Sequence, residues 1–318
     1  MPSLKEIKGR IASVKSTLKI TSAMKLVASA KLRKAQQAIE GMRPYERKLQ
    51  EMLAHLTRQA GGSGVGISGT YARIEPPHKS KISGDPGWSR SDAEESVTPG
   101  PETSAEEKVV IVAFASNSSL CGAFNANAVR LALETIQSCG DAQVTVYSVG
   151  RKMAEAMKKV GHPSPADFHD LADKPSYAEA AALAGQLMED FHEGRIDRVE
   201  LVYNHFVSSG KQVPVRETFL PSTIVIPSEA KESETDYILE PSAKELLEEL
   251  LPKSLKLKLY TALLDSNASE HAARTVAMQT ATDNGEDLLQ ELTLQYNKSR
   301  QQKITSEILD LAGGSQQQ

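Results

Sequence analysis

The residues able to carry chemistry are few and widely separated along the chain. Gly64-x-Gly66-x-x-Gly69 has the spacing of a dinucleotide-binding turn. That motif works only between a strand and a helix, because the pyrophosphate must meet a helix N-terminus. Here a helical pattern precedes the glycines and polar chain follows, so no nucleotide site is expected. Cys121 lies in Ser-Leu-Cys-Gly-Ala-Phe-Asn after an apolar run, where an α/β enzyme could place a nucleophile. No particular one of the seven histidines pairs with it by spacing, and a structural role is the expectation. The histidines form no HExxH and no close ligand pair, and Gly210-Lys211 lacks the remaining residues of a phosphate-binding loop. There is no GxSxG elbow. The reading is therefore of a chain with no catalytic residue, no cofactor and no metal of its own. His271 falls on a helical seam, where a packed or hydrogen-bonded histidine is expected. Cys121 and Cys139 make neither a CxxC pair nor a disulfide framework, which fits a reducing compartment.

The elements that must position these residues follow from composition and periodicity. The chain has 318 residues, 40% of them hydrophobic, 25% charged and only 5% aromatic. So small an aromatic share suits long helical pairing better than a large compact core. No apolar run approaches the roughly 18 residues of a membrane span. The net charge of −4 hides an asymmetry: Met1 to Lys48 carries 12 Lys and Arg against 3 Glu, a local +9, which leaves −13 for the remainder. A basic amphipathic start can be a transit peptide, but this pattern runs on through Lys48 without a cleavage-like break and is read as mature protein. Such a stripe points to an acidic partner surface, with nucleic acid as a candidate. Base-reading helices do not usually carry a hydrophobic seam in the same turns. Lys8, Lys15, Lys19, Lys31, Arg33 and Lys34 share their turns with one, so a protein partner is favoured over nucleic acid.

That seam is a seven-residue repeat. One position reads Ile7, Val14, Thr21, Ala28, Ala35, Met42, Leu49, Leu56, and the other Leu4, Ile11, Leu18, Lys25, Leu32, Ile39, Glu46, Leu53. Alternating spacings of three and four predict a left-handed coiled coil. At about 1.5 Å per residue the helix would run roughly 80 Å. It stops at Gly61-Gly62. Residues 61–107 are rich in Gly, Ser, Pro and acidic side chains, and a disordered or loosely ordered insertion is expected there. From residue 108 to about 227 strand and helix patterns alternate: strands over 109–115, 144–149, 199–203 and 213–220, and helices over 125–138, 151–160 and 176–193. This order predicts a mainly parallel α/β sheet, Rossmann-like, whose last two strands could pair antiparallel around Ser208-Ser209-Gly210. Pro241 and Ser242 mark the start of a terminal helix, which Pro252 should kink or interrupt. Beyond it a second seam runs through Leu264, Ala268, His271, Thr275, Met278, Thr282, Gly285, Leu289, Leu292 and Tyr296. It is small and polar where the first is aliphatic. The expected domains are 1–60, a coiled-coil helix; 61–107, the insertion; 108–227, the α/β unit; and 228–318, a second coiled-coil helix antiparallel to the first.

Five stretches in order carry a family resemblance. Ile20-Thr21-Ser22-Ala23-Met24-Lys25-Leu26-Val27-Ala28, Leu120-Cys121-Gly122-Ala123-Phe124-Asn125, Tyr203-Asn204-His205-Phe206, the run from Ser269 to Asn284, and Tyr296 to Glu307 resemble the gamma subunits of F-type ATP synthases. The resemblance spans nearly the whole chain outside 61–107. Ser116-Asn117-Ser118-Ser119 departs from the family's usual Ser-Asp-x-Gly, which leaves the local turn geometry open. The resemblance implies a central rotor shaft threading a ring of three alpha and three beta subunits. It implies epsilon and the membrane c ring as further partners, and nucleotide chemistry located mainly in beta. It implies coupling of proton flow to ATP synthesis with an influence on ATPase activity. The membrane association implied is indirect, at the cytoplasmic face of a bacterial plasma membrane. It also implies rotor–stator contact residues: Met24 and Lys25 on the first helix, and Arg274, Gln301, Thr305 and Glu307 on the second. The residues alone leave a non-motor coiled-coil scaffold or an α/β enzyme as alternatives.

Overall fold

A computed structural model describes residues 3–59, 72–75, 107–225, 240 and 242–314. Two long helices dominate it: α1, Leu4–Gln59, and α6, Ala243–Gly314. At 1.5 Å per residue they extend about 84 and 108 Å. All sixteen seam positions of α1 are buried or half-buried, so the 3.5-residue repeat is the packing surface. The pairing is antiparallel. Lys25 donates to Gln279, Thr282 meets Thr21, and Leu18 lies against Gly285. Further along, Leu32, Ala35 and Ile39 pack with Leu264, Ala268 and Ala272, then Leu49, Leu53 and Leu56 with Leu247 and Leu257.

Of the kink or interruption expected at Pro252, the interruption does not occur, since α6 runs through it, and Pro44 likewise sits within α1. The carbonyls that lose a partner belong to residues four earlier, Glu248 and Glu40. Both residues are exposed, so water can take the place of the missing N–H, while the seam packs on either side of each proline.

The sheet unit is inserted between the long helices. Its strands are β2 (Lys108–Phe114), β3 (Gln143–Val149), β4 (Arg198–Ser208) and β5 (Lys211–Leu220), in the order β3-β2-β4-β5. β2 is parallel to both β3 and β4, and β4–β5 is the antiparallel hairpin. β2 is continuously apolar because both its faces are covered. Val109, Ile111 and Ala113 face α2 (Phe124–Ser138) and α3 (Arg151–Lys159), meeting Ala128, Ala132, Met153 and Met157. Val110, Val112 and Phe114 face α5 (Tyr177–His192) and α6, meeting Leu183, Leu187, Leu255 and Leu259. A short helix, α4 (His169–Asp173), which the sequence pattern does not announce, closes this second layer. The turn from β3 into α3 requires Gly150: its φ is 97°, and a Cβ there would stand 2.1 Å from Ala115 O.

No regular element was expected within 61–107, yet Ala72–Glu75 forms a strand, β1, paired in parallel with β6, Ser222–Val225. Most of the insertion, including Gly64-x-Gly66-x-x-Gly69, lies outside the described residues.

Candidate functional site

The turn that follows β2 holds the candidate nucleophile. Ser116 N donates to Asn125 Oδ1 at 3.0 Å, and Ser116 Oγ lies 2.6 Å from Ser118 O. Asn125 Nδ2 donates to Cys121 Sγ at 3.1 Å. Cys121 is buried, and its described hydrogen-bond partners are Asn125, Ser116 and Ser118. No histidine is among them, so Cys121 is part of the knot that shapes the turn. The departure from Ser-Asp-x-Gly is accommodated here. The positive φ values fall on Leu120 (65°) and Gly122 (58°), and Ser119 is spared one. Asn117 uses its amide as a donor to His169 O at 2.7 Å and Asp173 Oδ2 at 2.9 Å, while Oδ1 accepts from Arg151 N. An aspartate could not make the two donations.

A cleft of 720 Å³ opens between α1, α6 and the β4–β5 hairpin. Its charged lining is largely engaged. His205 Nδ1 lies 2.5 Å from Asp265 Oδ2, Lys258 lies 3.0 Å from Glu217, and Tyr203 OH donates to Glu217 at 3.1 Å. Burial, more than neighbouring charge, pushes the pKa values of Asp265, Glu46 and Tyr203 upward. The His205 contact opposes the shift of Asp265. Among the described residues no group of His, Cys, Asp and Glu is arranged to hold a metal ion.

Above the sheet α6 passes through a polar collar. Asn267 Nδ2 donates to Ala172 O at 2.9 Å, and Ser269 Oγ donates to Asn204 O at 2.8 Å. Arg274 donates to Glu270 at 2.5 Å and to Ser118 Oγ at 2.7 Å. The Arg274 side chain is only 11% exposed, so this expected contact residue is turned inward. His271 is buried, with Nδ1 unpartnered among the described residues. Sequence reasoning passed over Asp265 and Asn267, and held Ser269 only as the first residue of a stretch with family resemblance. The signal available was a run of polar letters, Asp265-Ser266-Asn267 and Ser269-Glu270-His271, at the centre of an otherwise periodic helix.

The other expected contact residues lie on the long helices beyond the sheet. Met24 and Lys25 are half-buried at the seam, beside exposed Ile20, Leu26 and Val27. Gln301, Thr305 and Glu307 are exposed, on a length of α6 where every described side chain from 301 to 309 is exposed, Ile304, Ile308 and Leu309 included. In the antiparallel register this segment runs past the start of α1. The six residues therefore do not form one site: two lie partway along the shaft, three on its bare end, and Arg274 inside the collar. The cations Lys8, Lys15, Lys19, Lys31, Arg33 and Lys34 are all exposed along α1.

This architecture has counterparts among known proteins. The family model described as ATP synthase matches residues 3–316. An ATP synthase gamma chain of Phocaeicola vulgatus is 52% identical over 322 residues, covering 99% of each chain. The chain belongs to the ATP synthase gamma-chain family. A gamma chain of Bacteroides thetaiotaomicron is 48% identical over the full length of both. Two solved structures share the fold at low identity. One is the rotor of the Euglena gracilis mitochondrial ATP synthase in rotational state 1, with a TM-score of 0.57, 19% identity, and coverage of 95% of this chain and 98% of that one. The other is the OSCP/F1/c-ring assembly of the same organism in rotational state 3, with a TM-score of 0.58, 20% identity, and coverage of 98% and 93%. Gamma-chain membership removes the ground for a free-standing scaffold. Among the described residues no helix is long and apolar enough to cross a membrane.

Proposed function

We propose that the chain is the non-catalytic central shaft of an F-type ATP synthase, rotating inside a ring of alpha and beta subunits and coupling proton flow to ATP synthesis. The observation that carries this reading is the bare end of α6. A helix that outruns its partner and exposes Ile304, Ile308 and Leu309 needs an external sleeve, and a ring of subunits supplies one. The sheet, at the opposite end of the shaft, then faces epsilon and the c ring at the cytoplasmic face of a bacterial plasma membrane. Nucleotide chemistry belongs to beta, and the shaft acts by presenting a different face to each site as it turns, a coupling of binding free energy to rotation.

Exposure supports part of the proposed contact set, Met24, Lys25, Arg274, Gln301, Thr305 and Glu307. Gln301, Thr305 and Glu307 are exposed toward the ring, Met24 and Lys25 are half-buried with Lys25 bonded to Gln279, and Arg274 is held by Glu270 and Ser118. The exposed cations of α1 supply long-range attraction to acidic segments of beta without fixing one angle, because exposed ion pairs are individually weak. Affinity purification of the tagged chain from its own cell should yield alpha, beta, epsilon and c subunits, with ATPase activity in the complex and none in the isolated chain. Purification without those subunits would refute the reading.

A further inference from the structure

Between Ala262 and Ala272 every residue of α6 is buried, the longest such run on either long helix among the described residues. Two apolar stripes account for part of it. Leu264, Ala268 and Ala272 face α1, and Leu255, Leu259, Ala262 and Leu263 face the sheet on nearly the opposite side. The polar residues leave along the two flanks between these stripes. On one flank Asp265 meets His205 at 2.5 Å and Ser269 donates to Asn204 O at 2.8 Å. On the other, Asn267 donates to Ala172 O at 2.9 Å, and Arg274, paired with Glu270, donates to Ser118 Oγ at 2.7 Å. At about 100° per residue these side chains fan over about 200° of the helix circumference. Their anchors lie on three separate elements: β4, the end of α4, and the turn after β2. Asn204 is itself tied to Phe124 O at the start of α2.

We infer that residues 265–274 are the joint that fixes the angle of the shaft about its own axis against the sheet, with Asp265, Asn267, Ser269 and Arg274 as its positioning residues. The inference rests on the rotor reading and adds where torque crosses from sheet to shaft. Apolar packing resists separation but is non-directional, so the two stripes alone leave rotation of α6 softly restrained. Hydrogen bonds tolerate only a narrow range of distance and angle. Because they occupy both flanks, a turn of α6 in either sense stretches one group of them. The joint also lies where the load must pass. α1 packs mainly on α6, while α6 packs on β4 and α5. Past Thr275 the buried residues of α6, among those described, are those of the seam, Met278, Thr282 and Leu292.

The test uses the assembled complex with a probe attached through Ser209→Cys on the β4–β5 hairpin. Asn267→Leu with Ser269→Ala removes one donor from each flank at little change in volume. ATP-driven rotation of the probe should continue, while its angular spread during catalytic pauses widens by about two-fold as the directional bonds are lost. Ser269→Thr, which keeps the hydroxyl, should retain the parent spread. Ser118→Ala, on the exposed turn, should widen the spread to a smaller degree, and decides the matter if the double variant does not assemble. An unchanged spread in the double variant, or in Ser118→Ala where the double variant fails to assemble, overturns the joint. A parent probe that does not rotate with ATP hydrolysis overturns the rotor reading instead.

Discussion

His271 sits at the seam only 3% exposed, and burial, helped by the positive charges of Arg274 and Lys31, holds its pKa down to about 4 against an ordinary 6.5. The sign of the pH effect follows. At pH 7 the imidazole is neutral whether the chain is folded or not. Below 6.5 the unfolded chain binds a proton that the folded chain refuses until about pH 4. Stability from this residue is therefore lost as pH falls through that window, by at most about 3 kcal/mol. Glu270 acts in the opposite sense, since burial raises its pKa despite Arg274, and protonation then favours the folded form. A difference measurement separates the two. Chemical denaturation of the parent and His271→Leu at pH 7.5 and pH 5 should show the variant gaining on the parent at the lower pH. A constant gap would mean that His271 protonates in place. The other singled-out side chain, Cys121, could be assigned from sequence only as far as "after a strand". Its partners Ser116, Ser118 and Asn125 become evident once the turn brings them together.

At the level of elements, the two seams and the strand–helix alternation were legible because each depends on local periodicity. The repeat from Leu4 to Leu56 places every seam residue correctly, and the expected strands match β2 to β5 within a few residues at most ends. What the letters did not show depends on distant partners. β1 exists through its pairing with β6, α4 is a single short turn, and Arg274 turns inward because Ser118, far away in sequence, lies beside it. Gly285 shows how the small seam works. A Cβ there would meet Leu18 Cδ2 at 2.7 Å, so the absent side chain leaves the room that Leu18 occupies. Gly285→Ala gains helix propensity of about 1 kcal/mol, offset by a shift of the half-buried Leu18 side chain. Gly285→Leu has no such accommodation and should destabilise the chain by about 1–3 kcal/mol through overpacking. Thermal melts of the two variants check this ordering, and equal melting temperatures would show that the seam is looser than its geometry.

For the whole molecule, the unequal lengths of α1 and α6 divide stability along one axis. The register that sets Thr21 against Thr282 and Leu18 against Gly285 carries the start of α1 to about Ser299, the last half-buried residue among the described side chains of α6. Beyond it α6 continues to Gly314 as a single helix. The described side chains from 301 to 309 are all exposed, and a helix of about 15 residues is marginal in water on its own, whereas residues 262–272 are enclosed on every side. In the free chain, amide exchange should therefore be slowest around 262–275 and fast from about 301 onward, the separate opening of differently packed segments. Deleting residues 301–318 should leave the melting temperature of the free chain unchanged, since no described side chain there is buried. Assembly should reverse the contrast at the tip. If a ring of subunits encloses it, exchange from 301 to 314 slows in the complex, and the truncation that was silent in the free chain lowers ATP synthesis. Strong protection of the tip before assembly would show that it is folded against this chain itself, and the sleeve would no longer be needed to explain it.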